Sequence, residues 1–390
     1  MSEVGLLRVS DLGAVFDGPH ATPARVDSGP YFLNIASLRS GRLDLTQSDH
    51  VSVEDFAKWT RRVTPRKDDL LFSYETRLGE AALMPAGVTA CLGRRMALLR
   101  PNVAVIHARF LLYFFLAPQM QRLIEKNTIH GATVDRISLS TMGEWPVSLP
   151  GLEEQEGIAD VLGALDDKIA GNVSLVAAAE ELAVATIETI APSVPLGEIV
   201  LHRKRMVSPE VLAEELVQHY SLPAFDAARA PELVSAKAIK SGKFEVCQPS
   251  VLVSKLNPRF PRIWDLTSLG SARALTSTEF LVLESRYSTS TVLWSVLSQP
   301  AFSASLESQV AGTSGSHQRV RPADLFATEV IDPRAMSDNT KEALTGLGGT
   351  IVAHRLESAG LAELRDALLP ELMSGRMRVK DAERIVEGEV

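Results

Sequence analysis

The chain has 390 residues, 45% of them hydrophobic and 23% charged, which is enough for two or three domains and too apolar for intrinsic disorder. Its only cysteines, Cys91 and Cys247, lack metal-site spacing, so a disulfide framework is excluded and a reducing, cytoplasmic location is expected. The longest apolar run, residues 110–117, is far shorter than the ~20 residues that cross a bilayer, so neither a membrane-spanning segment nor an export signal is expected. The net charge of −8 arises in residues 151–195, which hold nine acidic residues and one lysine, so it does not exclude a nucleic-acid partner.

The first 150 residues have the pattern of a mixed block of short strands and helices. Residues 66–69 form a turn signal before an apolar strand at 70–74, and a second strand is expected at 95–100. Residues 107–126 have the density and period of one buried amphipathic helix. Two prolines within residues 145–150 then stop regular structure. A domain boundary is expected there.

Two long helices follow the two mixed blocks. The first is predicted over 153–190 and opens with acidic residues that suit the positive end of a helix dipole. Its apolar residues alternate steps of four and three, which is a heptad seam. A second, less regular seam is predicted over 339–373, after the second mixed block ends in prolines. The first seam consists of Ile158, Leu162, Leu165, Ile169, Asn172, Val176, Ala179, Ala183, Thr186 and Ile190, and the second of Leu344, Leu347, Ile351, His354, Ser358 and Leu361.

The two halves repeat the same order of parts. A displacement of about 184 residues puts Gly131 over Gly315, and slightly smaller displacements put Pro150 over Pro333 and Ile169 over Ile351. The fold class is therefore α+β, with two similar mixed domains and two long helices, related by a tandem duplication. The predicted boundaries are a first domain at 1–150, a helix at 151–192, a second domain at 193–333, a helix at 334–378 and a tail at 379–390.

Short motifs at the start of the first helix and the end of the second resemble a known family. Residues 150–162 are similar to the P-x-L-x-E-Q-x-x-I-A-x-x-L passage of specificity subunits of type I restriction-modification enzymes, and residues 368–379 to their L-L-P-x-L-x-S-G-x-x-R-V ending. Upstream, residues 69–73 with Gly79 resemble the D-I-L-x-S core strand of their target-recognition domains. The second block matches less well, because residues 251–255 lack the leading Asp.

The resemblance implies a non-catalytic subunit that reads double-stranded DNA. Two target-recognition domains would be separated by two antiparallel helices around a pseudo-twofold axis, each domain reading half of a bipartite target. The subunit would recruit two methyltransferase subunits and restriction and translocase subunits. S-adenosylmethionine and ATP would belong to those partners, with no cofactor in this chain. Independently, two similar domains on rigid helices can reach major grooves one turn, ~34 Å, apart.

Candidate DNA contacts are polar and basic side chains in three segments of each half, because base edges are read by donors and acceptors while phosphates need charge. The loop near residue 317 is favoured, since Gly and Ser allow close backbone approach. In the first half the candidates are Ser73, Tyr74, Arg77, Arg94, His130 and Arg136; in the second they are Arg203, Lys204, Lys255, Asn257, Arg259, Ser316, His317, Gln318, Arg319 and Arg321. For each arginine, a solvated surface charge is an equally good interpretation.

Neither a catalytic centre nor a metal site is predicted. Residues 257–260 resemble the Asn-Pro-Pro-Phe motif of amino-methyltransferases, but Arg259 replaces the second proline and no Gly-rich cofactor loop precedes it. His130 and His317 lack neighbours at metal-ligand spacing. The alternatives are a specificity subunit of a nuclease-free methylation or phage-defence system, and, in another class, a coiled-coil protein scaffold.

The long helices carry two further predictions. Methyltransferase subunits are expected to bind their outer faces, where acidic residues crowd, although a solvated helix face explains this crowding as well. Asn172 and His354 occupy matching seam positions and are expected to meet midway along the helices, unless helix rotation turns both toward solvent. The acidic residues are Glu153, Glu154, Glu156, Asp160, Asp166 and Asp167.

Overall fold

A computed structural model describes residues 5–19, 22–131, 133–187, 192–309 and 318–388. The chain divides into two compact units, unit 1 being Met1–Ala170 with Ala359–Val390 and unit 2 being Gly171–Ser358. The division falls within both long helices, so each unit contains part of each helix, whereas the sequence predicts boundaries at the helix ends. Within the described ranges, no helix is both long and apolar enough to span a membrane.

Unit 1 contains a mixed domain and short 3-10 turns at Ile35–Ser37 and Leu45–Gln47. Its elements are β1 (Gly5–Arg8), α1 (Val9–Leu12), β2 (Gly13–Asp17), β3 (Val26–Phe32), β4 (Leu38–Arg39), β5 (Arg42–Leu43), β6 (Asp49–His50), α2 (Val53–Trp59), β7 (Leu70–Ser73), β8 (Ala81–Leu83), β9 (Ala90–Cys91), β10 (Met96–Pro101), α3 (Ala108–Leu116), α4 (Pro118–Lys126), β11 (Thr128–Ile129), β12 (Arg136–Ile137), α5 (Leu139–Met142), β13 (Pro146–Leu149) and the start of α6 (Leu152–Ala185).

The central sheet of unit 1 has the strand order β2-β10-β7-β8. Every side chain of β7 is buried, which is why its sequence is a continuous apolar run rather than an alternating one. Phe72 on this strand packs against Phe115 of α3, with ring centroids 5.2 Å apart. The two strands predicted near residues 70 and 95 are therefore present, as β7 and β10.

The single helix predicted over 107–126 is wrong, because the structure has two helices there. Pro118 begins α4, and Ala117 before it is extended, with φ −68° and ψ 150°. Proline lacks an amide hydrogen and disfavours the helical conformation of the preceding residue, so the chain turns between α3 and α4. Apolar residues recur at helical spacing on both sides of Pro118, so the periodicity does not show the break.

Unit 2 contains the second mixed domain and 3-10 turns at Pro209–Leu212, Ala236–Ala238 and Pro333–Ala335. Its elements are β14 (Ser193–Pro195), α7 (Leu196–Ile199), β15 (Val200–Arg203), β16 (Met206–Val207), β17 (Leu216–Tyr220), α8 (Leu222–Ala228), β18 (Glu232–Ser235), β19 (Lys243–Val246), β20 (Ser250–Ser254), β21 (Ile263–Leu266), β22 (Arg273–Thr276), β23 (Phe280–Ser285), α9 (Ser290–Leu297), α10 (Pro300–Ser308), α11 (Pro322–Ala327), β24 (Glu329–Ile331) and part of α12 (Asp338–Met373).

The duplication is visible in the sheets of the two units. The central sheet of unit 2 has the order β15-β23-β20-β21, which matches β2-β10-β7-β8 strand for strand. In both units a pair of helices, α3 and α4 or α9 and α10, follows the sheet, and the second helix of each pair begins at a proline. The units differ in their second sheets, which have three strands (β6-β3-β9) in unit 1 and five (β16-β19-β22-β17-β18) in unit 2.

The long helices α6 and α12 carry the predicted seam. In unit 1, Ile158, Leu162 and Leu165 of α6 share a buried cluster with Leu361 and Leu368 of α12. A short terminal helix, α13 (Val379–Val386), packs into the same cluster within the predicted tail. In unit 2, Ala183 lies in a cluster with Leu344. Thr186 is exposed, and Ile190 lies outside the described residues.

The glutamine of the Glu-Gln motif has a structural role at the start of α6. Gln155 is 1% exposed, its Oε1 accepts a hydrogen bond from the His107 backbone N–H at 2.9 Å, and its Nε2 donates to the Val105 and Pro150 carbonyls at 3.1 and 2.9 Å. One side chain thus satisfies three backbone groups at the junction of the domain with the helix. At the other motif, Gly375 has φ +70°, which suits a glycine just after a helix end.

Asp166 and Asp167, which the sequence predicts to face a partner, both form ion pairs within unit 1, but only Asp166 is half-buried, with its side chain 20% exposed against 71% for Asp167. Asp166 accepts a hydrogen bond from the Tyr113 hydroxyl at 2.7 Å and forms an ion pair with Arg365 at 2.8 Å. Burial first, and then the charge of Asp166, raise the pKa of Tyr113. Asp167 forms an ion pair with Arg109 at 2.7 Å. These carboxylates hold the domain to the helices, because each is matched to a cation across the junction.

The predicted meeting of Asn172 and His354 takes place through a third residue. Asn172 is 2% exposed and donates from Nδ2 to Glu357 Oε2 at 2.8 Å. The Nδ1 of His354 lies 3.3 Å from the same oxygen. Both residues lie on the facing sides of the helices, and Glu357, which the seam pattern does not single out, joins them.

Candidate nucleic-acid interface

Three segments of unit 1 that the sequence singles out separately lie side by side. The Tyr74 N–H donates to the Arg95 carbonyl at 3.2 Å, which joins the turn after β7 to the residues before β10. The Thr76 N–H donates to the Asp135 carbonyl at 3.0 Å, and the Ile137 N–H donates to the Tyr74 carbonyl at 2.9 Å. The β11–β12 hairpin is therefore fixed to that turn by backbone hydrogen bonds.

Unit 2 repeats these three hydrogen bonds at the matching positions. The Lys255 N–H donates to the Glu279 carbonyl at 2.9 Å, the Asn257 N–H to the Gln318 carbonyl at 2.9 Å, and the Val320 N–H to the Lys255 carbonyl at 3.0 Å. We call each set of three bonds, with the segments it joins, the turn frame of its unit. The duplication therefore extends to individual backbone bonds.

Each turn frame also has the same local conformation. Ser73 and Ser254, the last residues of β7 and β20, each donate a side-chain hydrogen bond to the carbonyl two residues later, at 2.8 and 3.2 Å. Thr76 and Asn257 both adopt a left-handed conformation, with φ 72° and 51°. This conformation costs energy for a residue other than glycine, and the bonds of the frame hold it in place.

Three candidates in unit 1 are unsuited to contact DNA and are corrected here. Ser73 is fully buried and Tyr74 is 9% exposed, so neither side chain reaches solvent. Burial is the main reason that the pKa of Tyr74 is raised. Arg77 turns inward and donates to the Ile35 carbonyl at 2.9 Å and to Glu80 at 3.2 Å. These residues build the frame rather than its outer surface.

The other candidates of unit 1 lie at the surface of the frame. Arg94 and Arg136 are exposed, and no described residue forms an ion pair with either. The His130 side chain is 78% exposed and its Nδ1 is 3.1 Å from Asp135. Two arginines and a histidine with exposed side chains thus surround the turn.

In unit 2 the candidates form a denser group. Lys204 and Arg321 are exposed, while Lys255 and Gln318 are half-buried. Arg203 is paired with Glu284 at 2.8 Å, and Arg259 is 3.7 Å from Glu307. The backbone of Arg319 forms an isolated β-bridge with Leu256, and the Arg319 side chain is paired with Glu279. Ser316 and His317, the residues on which the sequence argument relied most, lie outside the described residues.

The charge of this group affects a neighbouring histidine. The pKa of His202 is lowered to about 4, first by burial and then by the charges of Lys204 and Lys255. Lys204, which follows β15, and Lys255, in the turn after β20, both lower the pKa of His202. The positive charges of these two segments are therefore close together. A local excess of positive charge is the electrostatic requirement for binding a phosphate backbone.

Glu75 and Glu279 are the functional candidates that sequence reasoning missed. Arg95 Nε is 2.9 Å from Glu75 Oε2, and Arg319 pairs with Glu279 across 40 residues of sequence. Acidic residues are not expected where DNA binds, and no local motif marks them. Only the tertiary structure shows that they hold arginines.

Comparison with known proteins identifies part of the chain. The family model of the type I restriction modification DNA specificity domain matches residues 33–175, which include the turn frame of unit 1 and the first part of α6. Residues 33–175 are therefore similar to a type I restriction modification DNA specificity domain. The match includes the motifs at residues 69–73 and 150–162 and confirms their resemblance to this family, whereas the motif at residues 368–379 lies outside the matched range.

A curated relative of the specificity domain comes from Methanocaldococcus jannaschii and carries the name type I restriction enzyme MjaX specificity subunit. It is 28% identical over 145 residues, which is 35% of this chain and 32% of the relative. The match thus spans about a third of the length of that protein.

A solved structure shares the fold over almost the whole chain. The crystal structure of the type I restriction-modification system S subunit from M. genitalium aligns with a TM-score of 0.54, 14% identity, and 95% and 96% coverage of the two chains. At this identity the similarity concerns the fold, which confirms the α+β class with two related domains and two long helices that pack together.

Proposed function

We propose that this chain is the DNA sequence-specificity subunit of a type I restriction-modification complex. Each turn frame reads one half of a bipartite target, and the long helices connect the two readers. The chain itself is not an enzyme, so methylation with S-adenosylmethionine and ATP-driven cleavage belong to partner subunits in the cytoplasm. The observation that carries the proposal is the repeated turn frame, which presents different basic side chains on the same backbone in each unit.

The division of labour between the units follows from this difference. The frame of unit 1 carries Arg94, His130 and Arg136, while that of unit 2 carries Lys204, Lys255, Arg319 and Arg321. Base pairs differ in the donors and acceptors that they present in the major groove, so two sets of side chains select two different half-sites. A shared backbone with diverged side chains therefore suits an asymmetric target.

The long helices offer a surface for methyltransferase subunits. This surface is an exposed apolar part of α6 rather than the acidic residues that the sequence singles out. Leu175 and Leu182 lie two helical turns apart on one face of α6 and are 52 and 55% exposed, and residues 169–179 contain no charged residue. An exposed apolar face on a helix marks a protein contact. Glu153, Glu156 and Asp160 stay exposed near the start of α6 and can contribute charge. We propose that two methyltransferase subunits bind α6 and α12 and that restriction subunits join through them.

The test is a methylation map of genomic DNA from cells with and without this chain. We expect a bipartite, asymmetric methylated motif that disappears when the chain is deleted. Replacing residues 254–259 should change only one half of that motif. If deletion of the chain removes no methylated motif, the proposed function is refuted. If both halves of the motif change together, the division between the units is refuted. Subunits that co-purify with the chain distinguish a complete restriction system from one without a nuclease.

A further inference from the structure

Each turn frame holds one arginine against one glutamate at its solvent edge, but the two pairs occupy different positions. In unit 1 the glutamate is Glu75 of the turn and the arginine is Arg95, just before β10. In unit 2 the position just before β23 is Glu279, and Arg319 comes from the segment that bridges Leu256. Glu279 thus occupies the position that Arg95 has in unit 1, and Arg319 the position of Arg136, so the two units form their ion pairs from different positions of the frame.

The pair in unit 2 leaves part of the guanidinium free. Arg319 donates from Nε to Glu279 Oε2 at 3.1 Å and from Nη2 to Oε1 at 2.9 Å. A guanidinium has five N–H donors, so this fork uses two of them and leaves three. Within the described part of the chain, no acceptor bonds to Nη1. The Arg319 side chain is 52% exposed, so the free edge is accessible to a ligand.

Glu279 is suited to hold this arginine at neutral pH. The pKa of Glu279 is lowered, first by its hydrogen bond with Arg319, and Lys255 acts in the same direction. Its side chain is only 27% exposed, and its backbone carbonyl accepts the Lys255 N–H of the frame. The carboxylate is therefore ionised and fixed by the backbone on which the candidate contacts sit. A fork ion pair restricts the guanidinium plane, which reduces the ordering cost of binding.

The free edge selects a particular base. Guanine presents N7 and O6 as adjacent acceptors in the major groove, and a bidentate arginine is the side chain that matches them. Phosphate would also accept from arginine, but it needs no fixed orientation. In unit 1 the arginine of the ion pair, Arg95, is less available, since its side chain is 33% exposed and its Nη1 also lies 3.4 Å from Thr76 Oγ1. The inference therefore concerns unit 2.

We propose that Glu279 is a positioning residue that holds Arg319 in the orientation in which it reads one guanine of the half-site of unit 2. This inference rests on the proposed function, because it requires the turn frame of unit 2 to face DNA. It adds the identity of one base and a residue that does not touch DNA but decides how that base is read.

The experiment is selection from a randomised 40-bp duplex library by the full chain, purified with the subunits that accompany it in its own cells. We expect the unaltered protein to enrich a bipartite motif with at least one guanine preferred roughly tenfold in one half. Glu279→Gln, which keeps the shape but cannot form the fork, should reduce that preference to about threefold or less. Its affinity for unrelated duplex DNA should not fall, because a negative charge is removed.

A double variant and a matched control separate positioning from general damage. Arg319→Lys should lose the same guanine preference, and Glu279→Gln should have no further effect in an Arg319→Ala background. Asp226→Asn is the control, since Asp226 holds Arg262 of the same unit in an equal fork, at 2.7 and 2.9 Å, and neither residue is a candidate DNA contact. It should leave every base preference unchanged.

The outcomes distinguish the two proposals. A bipartite motif that is unchanged in Glu279→Gln, or a guanine preference that survives in Arg319→Ala, overturns this inference and leaves the proposed function standing. A loss of guanine preference in Asp226→Asn as large as in Glu279→Gln also overturns it, because any broken fork would then suffice. Failure of the unaltered protein to enrich any motif overturns the proposed function and this inference together.

Discussion

The two units share a backbone frame but differ in almost every side chain on it. The three hydrogen bonds of the turn frame and the left-handed residue are the same in both units, whereas Tyr74 corresponds to Lys255 and Thr76 to Asn257. Backbone bonds do not depend on side-chain identity, so the frame persists while the surface diverges. Comparing the units therefore separates the residues that build the frame from those that we propose to contact DNA.

A second difference lies beneath the frame. In unit 1, Asp69 is 1% exposed and accepts a fork from Arg100, with Nε to Oδ1 at 2.8 Å and Nη2 to Oδ2 at 2.7 Å. The matching residue of unit 2 is Ser250, which is buried and donates to the Gln248 carbonyl at 2.8 Å. The leading Asp of the family motif is thus part of a buried ion pair. In unit 2 the same buried position is occupied by a serine, which forms a neutral hydrogen bond instead of an ion pair.

The largest effect is expected from cavities in the matched core strands. Leu71 of β7 and Leu252 of β20 are both fully buried, in separate clusters, so Leu71→Ala and Leu252→Ala should each lower the unfolding free energy of their own unit by about 2–5 kcal/mol. Amide hydrogen exchange of each unit measures this. Equal loss of protection in both units from either variant would show that the units do not have independent cores.

The buried ion pair of unit 1 should show the next largest effect. Asp69→Ala leaves the Arg100 guanidinium, 23% exposed, without its carboxylate, and we expect a loss of roughly 3 kcal/mol in unfolding free energy. Ser250→Ala in unit 2 removes one neutral hydrogen bond and should cost about 1 kcal/mol. Chemical denaturation of both variants tests the ratio. Similar losses from the two would mean that the ion pair stabilises no more than a hydroxyl.

The cations of unit 2 should affect binding rather than stability. Replacing Arg319 and Arg321 by alanine should weaken binding of the assembled complex to its cognate duplex, by about 1–3 kcal/mol for each lost contact. Two exposed arginines of unit 1, Arg94 and Arg136, provide the comparison, since their replacement should weaken recognition of the other half-site. Fluorescence anisotropy with duplexes altered in one half resolves the two. Unchanged affinity and specificity would remove these residues from the interface.

The smallest effect is expected at the polar group between the helices. Asn172→Leu removes the Nδ2 donor that binds the Glu357 carboxylate and should lower the unfolding free energy by about 1 kcal/mol, measured by thermal unfolding. Replacing Asn172, His354 and Glu357 together by leucine should restore or raise stability while loosening the register of α6 against α12. Distances between spin labels on the two helices within unit 2 report that register. A triple variant with one sharp, unchanged distance would show that the polar group does not set it.

Local sequence patterns determined much of this protein. The heptad seam predicted α6 and α12, the displaced motifs predicted the duplication, and the density of apolar residues predicted the buried strands β7 and β10. These features depend on residues close in the chain, whose spacing alone sets which face is buried. The sequence also indicated three candidate segments in each half, although it did not predict that they lie side by side. Pro118 is itself a local signal for a helix break, but the apolar residues at helical spacing on both sides of it favoured a single helix.

The tertiary structure decided which candidate side chains are available. Ser73, Tyr74 and Arg77 have interface chemistry in the sequence, yet the fold buries them or turns them inward. Conversely, Glu279 has no local signal, and it matters because the fold brings it to Arg319 from 40 residues away. Burial and ion pairing depend on segments distant in sequence, so their energies cannot be assigned from spacing. That is why the sequence alone determined the two-domain architecture, and only the packed structure decided which residues face a ligand.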